Sequence, residues 1–325
     1  MSFQVKILLL SFATSVIISM IIIPMLRKLK VGQSEREDGP ETHLKKSGTP
    51  TMGGIILIVS TLCLSAFLYF DYSADEPEIA TRLLPMIFVT IGFGIVGFID
   101  DLKKVVFHNT DGLSPKAKMG GLLIIAIVYV CLLVFAFKNG TDIYIPFIDK
   151  YIVLPTWLYI PFAVLVILAT TNAVNLTDGI DGLSPSVTTI ILTCLTVISI
   201  IWKVKETTIF GCIVIGSILG FLLFNLHPAH IFMGDTGSLL LGGAIAGIAL
   251  YLKLPLLLII IAIVPVMETL SVIIQVVYYK KTKKRFFKMA PIHHHFELCG
   301  WNEDKIVSVF SVITLIASIV GILVI

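Results

Sequence analysis

Long apolar runs constrain this chain more than any other feature. Ten of them follow one another along the 325 residues. A helix needs about 20 consecutive apolar residues to cross the hydrocarbon core of a bilayer. The runs are continuously apolar and do not alternate, which favours helices over the strands of a membrane barrel. The sequence therefore predicts an all-α integral membrane protein of about ten transmembrane helices, with residues 1–325 as a single polytopic membrane domain.

The composition excludes the other classes of chain. Hydrophobic residues make up 57% and charged residues 14%, whereas soluble domains have about 45–50% apolar and about 25% charged residues. The same figures exclude a disordered chain. None of the five cysteines forms a C-x-x-C pair, and four of them lie in apolar runs. They are expected to pack as small hydrophobic residues, not to bind zinc or form disulfides.

The charges between the runs predict the orientation in the membrane. The predicted spans cover residues 5–26, 52–70, 83–99, 117–137, 155–174, 185–202, 208–224, 237–250, 255–279 and 306–325. An even number of spans puts both termini on one side. The connections after the odd-numbered spans carry more than twice as many Lys and Arg residues as the opposite face. This bias predicts that these connections are cytoplasmic and that both termini are outside.

Almost every unusual polar segment falls on the predicted cytoplasmic face. The segments on this face are 45–54, 100–101, 175–183, 225–238 and 280–305. A transporter needs polar groups near the middle of the bilayer. Here the polar groups lie at helix ends, which favours a site at the membrane surface.

Segment 45–54 precedes the second span and combines glycines, hydroxyl side chains and two lysines. Glycines let the backbone approach a ligand closely, and ammonium and hydroxyl groups suit phosphate oxygens. The spacing is not that of a P-loop. A phosphate-binding segment and a helix start anchored to lipid headgroups both remain open.

Asp100 and Asp101 are adjacent at the predicted end of the third span. Two carboxylates at a helix C-terminus destabilise it unless a cation or a proton offsets them. This favours metal binding or base chemistry over ordinary polarity at a helix end. Lys116, just before the fourth span, is expected to face the same space.

Segment 175–183 contains Asn175, Asp178 and Asp181 at intervals of three residues. A helical turn would place these side chains on one side. The segment lacks the pattern of an EF-hand. A plain turn between helices, with an aspartate as N-cap, is the alternative.

Segment 225–238 contains Asp235, which lies where the eighth predicted span begins. A carboxylate there accepts hydrogen bonds from backbone N–H groups, and the N-terminus of a helix also binds phosphate well. Phe232 provides a ring on which a flat base can stack. An ordinary N-cap is again the alternative.

Segment 280–305 has six Lys and Arg residues between positions 280 and 288, followed by His293, His294 and His295. The basic run is typical of attraction to anionic lipids. The histidines lack the H-E-x-x-H spacing of a zinc site and have no cysteine pair nearby. Phosphate binding or proton transfer fits them better.

Five aspartates in these segments, Asp100, Asp101, Asp178, Asp181 and Asp235, require a cation if they lie close together. Hard oxygen ligands select Mg²⁺ or Mn²⁺. With lysines and histidines as donors to phosphate oxygens, the pattern favours Mg²⁺-assisted phosphoryl transfer. A site at the membrane surface implies one lipid substrate, while a soluble nucleotide-linked donor would arrive from the cytoplasm.

The motifs resemble those of the polyprenyl-phosphate N-acetylhexosamine-1-phosphate transferases over essentially the full length. The matching motifs are Asp100-Asp101, Asn175-x-x-Asp178-Gly-x-Asp181-Gly, Met233-Gly-Asp-Thr-Gly-Ser238 and Pro291-x-His-His-His-Phe-Glu297. Segment 48–54 and the triple histidine resemble the phospho-N-acetylmuramoyl-pentapeptide branch most closely. The resemblance implies transfer of phospho-MurNAc-pentapeptide from UDP-MurNAc-pentapeptide to undecaprenyl phosphate, which yields lipid I and UMP in the first membrane step of peptidoglycan synthesis. It also implies a Mg²⁺ requirement, a homodimer in the bacterial cytoplasmic membrane and no nucleic-acid partner.

The resemblance also implies roles for individual residues. Asp235 matches the Mg²⁺ ligand, and Asp100, beside Asp101, matches the base that deprotonates the lipid phosphate. Phe232 matches the ring that stacks on uracil. Positions in the nucleotide side or the catalytic pocket are matched by Asn175, Asp178 and Asp181. Further polar positions of the cleft are matched by Lys46, Thr51, Lys116, Asn225 and Gln275, and those of the histidine loop by His293, His294 and His295, of which His294 and His295 match the functional histidines.

Two rival functions remain open at this stage. A sister transferase would take UDP-GlcNAc as its donor, and the triple-histidine loop argues for the muramoyl-pentapeptide branch. A secondary transporter would need charges deep in the spans, where the sequence offers only Glu268 and Gln275. Glu268, near Pro265, either marks a bent ninth helix or pairs with a buried donor. Direct attack by the lipid phosphate is favoured over an aspartyl intermediate.

Overall fold

The structure, a computed structural model, describes residues 2–29, 48–107 and 112–325 and is built almost wholly of helices. In chain order these are α1 (Phe3–Lys28), α2 (Gly54–Asp75), α3 (Pro77–Val106), α4 (Pro115–Cys131), α5 (Thr156–Thr177), α6 (Leu183–Ile201), α7 (Lys205–Asn225), α8 (Gly234–Tyr251), α9 (Leu258–Ile261), α10 (Ile263–Thr282), α11 (Ile292–Glu297) and α12 (Glu303–Leu323). A π-helical turn, Leu132–Ala136, extends α4. Two short antiparallel strands, β1 (Asp142–Ile145) and β2 (Lys150–Val153), precede α5. The all-α prediction is confirmed.

Nine helices of the described ranges are long and apolar enough to cross a membrane. They are all the helices of that part of the chain except α8, α9 and α11. Helix α8 corresponds to the eighth predicted span and lies at the centre of the bundle, packed against α3 and α5. Leu240, Ala244 and Ile248 are fully buried there. Because protein and not lipid surrounds α8, its glycine-rich sequence can be less apolar than that of the outer helices.

The ninth predicted span, 255–279, is not one helix. A 3-10 turn, Pro255–Leu257, and α9 are separated from α10 at Ala262, which has φ −97° and ψ 32°. The cause is Pro265, which has no N–H for the carbonyl of Ile261 and whose ring would clash with that carbonyl in a continuous helix. The predicted bend in this helix is therefore confirmed as a break at Ala262, before Pro265.

The third predicted span, 83–99, is too short. Helix α3 continues to Val106, so Asp100 and Asp101 lie inside the helix and not at its end. Their side chains are buried, with 2% and 4% of each residue exposed. Opposition to the helix dipole is consequently not what makes them unusual; their burial is.

Both termini lie at the same end of the bundle, opposite the acidic residues of α3. A chain of contacts joins the helix ends there: Phe3 with Tyr72, Lys205 with Glu76, Arg82 and Tyr251 with Glu206, Lys253 with Asp142, Tyr144 with Trp202, and the Phe147 amide with the Val324 carbonyl. The two termini therefore share one face, as an even number of membrane crossings requires.

Candidate active site

Close backbone packing fixes the N-terminus of α8 against α2 and α3. A Cβ atom on Gly54 would lie 2.1 Å from the Gly237 nitrogen, and one on Gly97 would lie 2.2 Å from the Asp235 carbonyl oxygen. Such distances are possible only for glycine, whose lack of Cβ allows backbone atoms to touch. The glycines of three distant segments thus place Asp235 beside the end of α3.

Segment 50–54 runs along the residues that lead into α8. The Phe232 amide donates to the Pro50 carbonyl, and the Gly53 amide donates to the Phe232 carbonyl, both at 2.8 Å. Thr51 is buried near Gly234. The ring-bearing residue Phe232 is half-buried at this junction. Segment 50–54 therefore belongs to the same site as Asp235, whereas Lys46 lies outside the described residues.

Asp101 caps helix α8 from a neighbouring helix. Its carboxylate accepts hydrogen bonds from the Asp235 amide at 3.2 Å, the Thr236 amide at 2.8 Å and the Thr236 hydroxyl at 2.6 Å. The first amides of a helix have no partner within the helix, and negative charge is favourable at its N-terminus. Asp101 thus holds α8 in place, and the Asp235 side chain is left to point elsewhere.

The Asp235 carboxylate gathers donors from three helices. Its Oδ2 atom lies 2.7 Å from Lys104 Nζ and 2.8 Å from Lys118 Nζ. Its Oδ1 atom accepts a hydrogen bond of 2.7 Å from Asn175 Nδ2, which also donates to the Ser238 hydroxyl. Helices α3, α4 and α5 therefore converge on this one side chain.

Asp100 completes a three-carboxylate cluster. Its Oδ1 atom accepts from the Leu113 amide at 2.7 Å, and its Oδ2 atom lies 2.7 Å from Lys104 Nζ. Oxygens of Asp100, Asp101 and Asp235 lie within 4.8 Å of one another. A set of close carboxylate oxygens with few competing soft ligands is the donor chemistry that suits Mg²⁺ or Mn²⁺. The residues present therefore fit the predicted ion.

Lys104 and Lys118 were not among the predicted site residues. Lys116, which was expected to face this space, is exposed, and the ammonium group that reaches Asp235 comes from Lys118. Two sequence signals were available. Lys104 follows Asp100 by four residues, which is the spacing of an ion pair along a helix, and Lys118 is a cation just inside an apolar run.

The polar residues of segment 175–183 lie in two different parts of the site, one at Asp235 and one at the turn that contains Asp181. Helix α5 ends at Thr177, so the expected stacking of Asn175, Asp178 and Asp181 on one helical side is wrong. Asn175, in the last turn, contacts Asp235, while Asp181 lies in the following turn. Burial raises the pKa of the Asp178 carboxyl well above its usual range, and the charges of Asp235, Asp101 and Asp181 raise it further. Asp178 therefore lies close enough to both Asp235 and Asp181 to feel their charges, and its carboxyl favours the neutral form.

Asp181 belongs to a second group of polar side chains. Its Oδ2 atom lies 3.1 Å from His227 Nδ1, and its amide donates to Glu303 Oε2 at 3.1 Å. A pocket of about 220 Å³ opens beside it, lined by Asp181, Leu226, His227, Asp304, Val307 and Ser308. His227 and Glu303 were not predicted, because their proximity to Asp181 depends on how α12 packs.

Asn225 connects the two loops around this pocket. Its Oδ1 atom accepts from the Gly182 amide at 3.2 Å, and its Nδ2 group donates to the Ile231 carbonyl at 2.8 Å. The residue is 3% exposed. Asn225 thus holds segments 178–183 and 226–233 in register.

His293, the first of the three consecutive histidines, lies against the carboxylate of Glu268 in α10. His293 and Glu268 are both fully buried, and His293 Nδ1 lies 3.1 Å from Glu268 Oε1, an ion-pair distance without hydrogen-bond geometry. A Cβ atom on Gly179 would lie 2.1 Å from His293 Nε2. The histidine loop therefore rests directly on the turn that contains Asp178. The buried donor that reaches the Glu268 carboxylate is the His293 amide, 3.4 Å from Oε2.

The other two histidines point to different partners. His294 Nδ1 lies 2.6 Å from Glu297 Oε2, and His295 Nδ1 accepts from the Lys288 amide at 3.2 Å. In the described ranges, neither group of three possible metal ligands includes a histidine of the triad. This arrangement gives no support to zinc binding by the three histidines.

Gln275 is engaged by the basic loop. Its side-chain oxygen, Oε1, accepts hydrogen bonds from the Phe286 amide at 3.1 Å and the Phe287 amide at 2.9 Å, and its Nε2 group donates to the Phe287 carbonyl at 3.3 Å. It thereby fixes the path of the chain after α10, next to Lys288, whose amide donates to His295 of the histidine loop.

Comparisons with known proteins agree with this site. Residues 83–253 match the family model described as glycosyl transferase family 4. Residues 46–58 match phospho-N-acetylmuramoyl-pentapeptide-transferase signature 1. The first match covers the acidic segments of α3, α5 and α8, and the second covers segment 50–54.

Similar full-length proteins carry one name. The chain is 50% identical over 321 residues to the phospho-N-acetylmuramoyl-pentapeptide-transferase of Acetivibrio thermocellus, covering 98% of this chain and 94% of the relative. It is 51% identical over 316 residues to the protein of that name from Clostridium botulinum strain Eklund 17B, covering 97% and 94%. The protein of that name from Clostridium novyi is 45% identical over 330 residues, covering 99% and 97%.

Proposed function

The chain belongs to the phospho-N-acetylmuramoyl-pentapeptide-transferase family, and from that premise we propose that its donor is UDP-MurNAc-pentapeptide and its acceptor undecaprenyl phosphate. The products are lipid I and UMP. The observation that carries this proposal is the convergence of Asp100, Asp101 and Asp235 with two lysines at one end of the helix bundle. That end lies opposite both termini, which the charge bias assigns to the outside.

Mg²⁺ is the ion that this carboxylate cluster is proposed to hold. Asp235 is its principal ligand, with Asp100 and Asp101 beside it. When bound, the ion neutralises charge on the diphosphate of the donor. The protein's own contribution is to keep the three carboxylates together, which it does through the capping of α8 by Asp101 and through the lysine contacts of Asp235.

The transfer is proposed to be a direct displacement. An oxygen of undecaprenyl phosphate attacks the phosphorus that bears the sugar, a new diphosphate bond forms, and the bond to UMP breaks. A phosphate monoester loses its second proton at about pH 6, so most of the acceptor is dianionic at neutral pH. Asp100 accepts the proton of the remaining fraction. Both oxygens of Asp100 already accept a backbone amide or contact an ammonium group, so a covalent attack by Asp100 on phosphorus would have to break one of these contacts.

The remaining site residues are proposed to bind the donor. Asp181, Asn225 and Phe232 surround the junction next to the pocket and form the nucleotide side. Lys46, Thr51, Asn175 and Gln275 contribute polar groups to the cleft, and Lys118 takes the place that was expected of Lys116. Asp178 and the histidine loop, which touch each other at Gly179, form the wall between nucleotide and metal.

The proposed setting is the cytoplasmic membrane of a bacterium. The apolar outer helices keep the chain in the bilayer, and the site opens to the cytoplasm where the nucleotide donor is available. We further propose that the protein acts as a homodimer, as the resemblance to this family implies.

UMP release tests this function directly. Purified full-length protein in detergent is expected to release UMP from UDP-MurNAc-pentapeptide only when undecaprenyl phosphate and Mg²⁺ are both present. UDP-GlcNAc serves as the matched donor, since it carries the same diphosphate and a related sugar without the peptide. Equal or faster UMP release from UDP-GlcNAc would instead assign the chain to the sister activity. Uptake of substrate into liposomes without UMP release would point to transport.

A further inference from the structure

Two ammonium groups already occupy the carboxylate oxygens that a divalent ion would use. Lys104 Nζ lies 2.7 Å from the Oδ2 atoms of both Asp100 and Asp235, and 3.6 Å from Asp101 Oδ1. Lys118 Nζ lies 2.8 Å from Asp235 Oδ2 and 3.8 Å from Asp100 Oδ2. Both ammonium groups therefore converge on the same oxygen atom of Asp235.

These contacts are partly buried. The side chain of Asp235 is 17% exposed, and those of Lys118 and Lys104 are 21% and 34% exposed. Charges in such a setting are screened less by water and salt than charges on an open surface. The lysines therefore stabilise three neighbouring carboxylates that would otherwise repel one another strongly.

The charge of the cluster changes sign when a divalent ion enters. Three carboxylates and two ammonium groups leave one negative charge, which repels phosphate. A divalent ion converts this to one positive charge, which attracts it. For the ion to reach Asp235 Oδ2, at least one ammonium group has to leave that oxygen, because both already lie at contact distance.

We infer that Lys104 and Lys118 are tethered counter-ions that compete with the divalent ion for Asp235, so that the pocket accepts a phosphate group only after the ion has entered. This inference rests on the proposed function and adds an order to it, with the ion first and the phosphate second. The lysines hold the three carboxylates together when no divalent ion is bound, and for the same reason they weaken binding of the ion. They act as positioning residues toward the ion.

Mn²⁺ titration of the full-length protein in detergent, followed by electron paramagnetic resonance, tests this inference without substrate. The variants are Lys104→Gln and Lys118→Gln. We expect Mn²⁺ to bind about tenfold more tightly or better to each of them, because each loses one positive charge in contact with the ligand oxygens. Lys118→Arg keeps the charge and is expected to stay close to the unmodified protein. Lys116→Gln is the matched control, since Lys116 is exposed on the same helix two residues away.

Thermal unfolding of the same variants, with and without Mn²⁺, separates a change in Mn²⁺ affinity from a loss of stability in the variant itself. Without Mn²⁺, both glutamine variants are expected to unfold at a lower temperature than the unmodified protein. Their stabilisation by saturating Mn²⁺ is expected to be the larger, as tighter binding to the folded state requires. Weaker or unchanged Mn²⁺ affinity in both glutamine variants would overturn the inference, as would equal tightening in Lys116→Gln.

The reference variant Asp235→Asn separates this inference from the proposed function. If Asp235→Asn loses Mn²⁺ binding while the lysine variants bind no more tightly than the unmodified protein, the ion site stands and the counter-ion role fails. If Asp235→Asn binds Mn²⁺ like the unmodified protein, the proposed ion site itself fails, and the inference fails with it.

Discussion

Replacing Asp235 with asparagine is expected to lower kcat for UMP release by about three orders of magnitude. A bound metal stabilises the charge of the transition state by several kcal/mol, and each loss of about 1.4 kcal/mol lowers the rate about tenfold. Asparagine keeps the size of the side chain and can still accept from Asn175, but it removes the charge that three helices surround. Steady-state assays at saturating donor and acceptor measure the effect over a wide range of Mg²⁺ concentrations.

Asp75→Asn provides the control for this change. It makes the same substitution at an exposed carboxylate at the end of α2, on the face of the termini. It is expected to leave kcat within about twofold, as substitutions of isolated surface charges do little. Near-normal UMP release by Asp235→Asn at ordinary Mg²⁺ concentrations would refute the assignment of Asp235.

Gly97→Ala is expected to produce the second large effect, on stability and activity together. The new Cβ atom would lie 2.2 Å from the Asp235 carbonyl oxygen and 2.5 Å from its carbon, so α3 and α8 have to separate. Overpacking of this kind costs about 1–3 kcal/mol of unfolding free energy. Separation also shifts Asp101 away from the amides that it caps, and a displacement of about 1 Å at an active site can cost about 100-fold in rate. Thermal unfolding in detergent and UMP release measure the two effects.

Gly120→Ala is the matched variant. Gly120 lies in α4, and a Cβ atom there would meet nothing within 4 Å. Because alanine is favoured over glycine inside a helix by about 1 kcal/mol, this variant is expected to be as stable as the unmodified protein or slightly more so. If Gly97→Ala behaves like Gly120→Ala in both assays, the close approach of α3 and α8 does not exist.

The fold class and the location of the site were predictable because they depend on local patterns. Length and apolarity of the runs predict spanning helices, and the distribution of charged residues predicts which helix ends lie together. The paired termini and the shared face of Asp100, Asn175 and Asp235 follow from the number of crossings. Resemblance then supplied the chemistry, which residue types alone leave at the level of phosphoryl transfer.

The contacts within the site were not predictable, because they join segments that are distant in sequence. The capping of α8 by Asp101 spans more than 130 residues, and no local pattern reveals that its carboxylate serves another helix. The same holds for Glu303 beside Asp181. Lys118 and not Lys116 reaches Asp235 because of the rotation of α4 about its axis. The sequence of α4 does not predict this rotation, since the helix is apolar on nearly all sides.

Two errors have local causes that can be stated. The turn at Asp178 separates Asn175 from Asp181 because α5 stops at Thr177, so a spacing of three residues carried no helical meaning there. The ninth span was predicted as one run with a bend near Pro265 as one alternative, and the structure breaks this run at Ala262. A proline in an apolar run is not by itself a sufficient signal for such a break, because Pro24, Pro85 and Pro161 lie inside continuous helices.

Iron-directed cleavage is the most direct measurement of whether the distant aspartates form one divalent-ion pocket. Fe²⁺ takes the place of Mg²⁺ in the full-length protein, and ascorbate with hydrogen peroxide then cuts the backbone next to the bound ion. The convergence of Asp100, Asp101 and Asp235 predicts cuts near residues 100–101 and near residue 235 in the same sample, both suppressed by excess Mg²⁺. Cuts at only one of these places, or cuts confined to residues 181, 227 and 303, would contradict it.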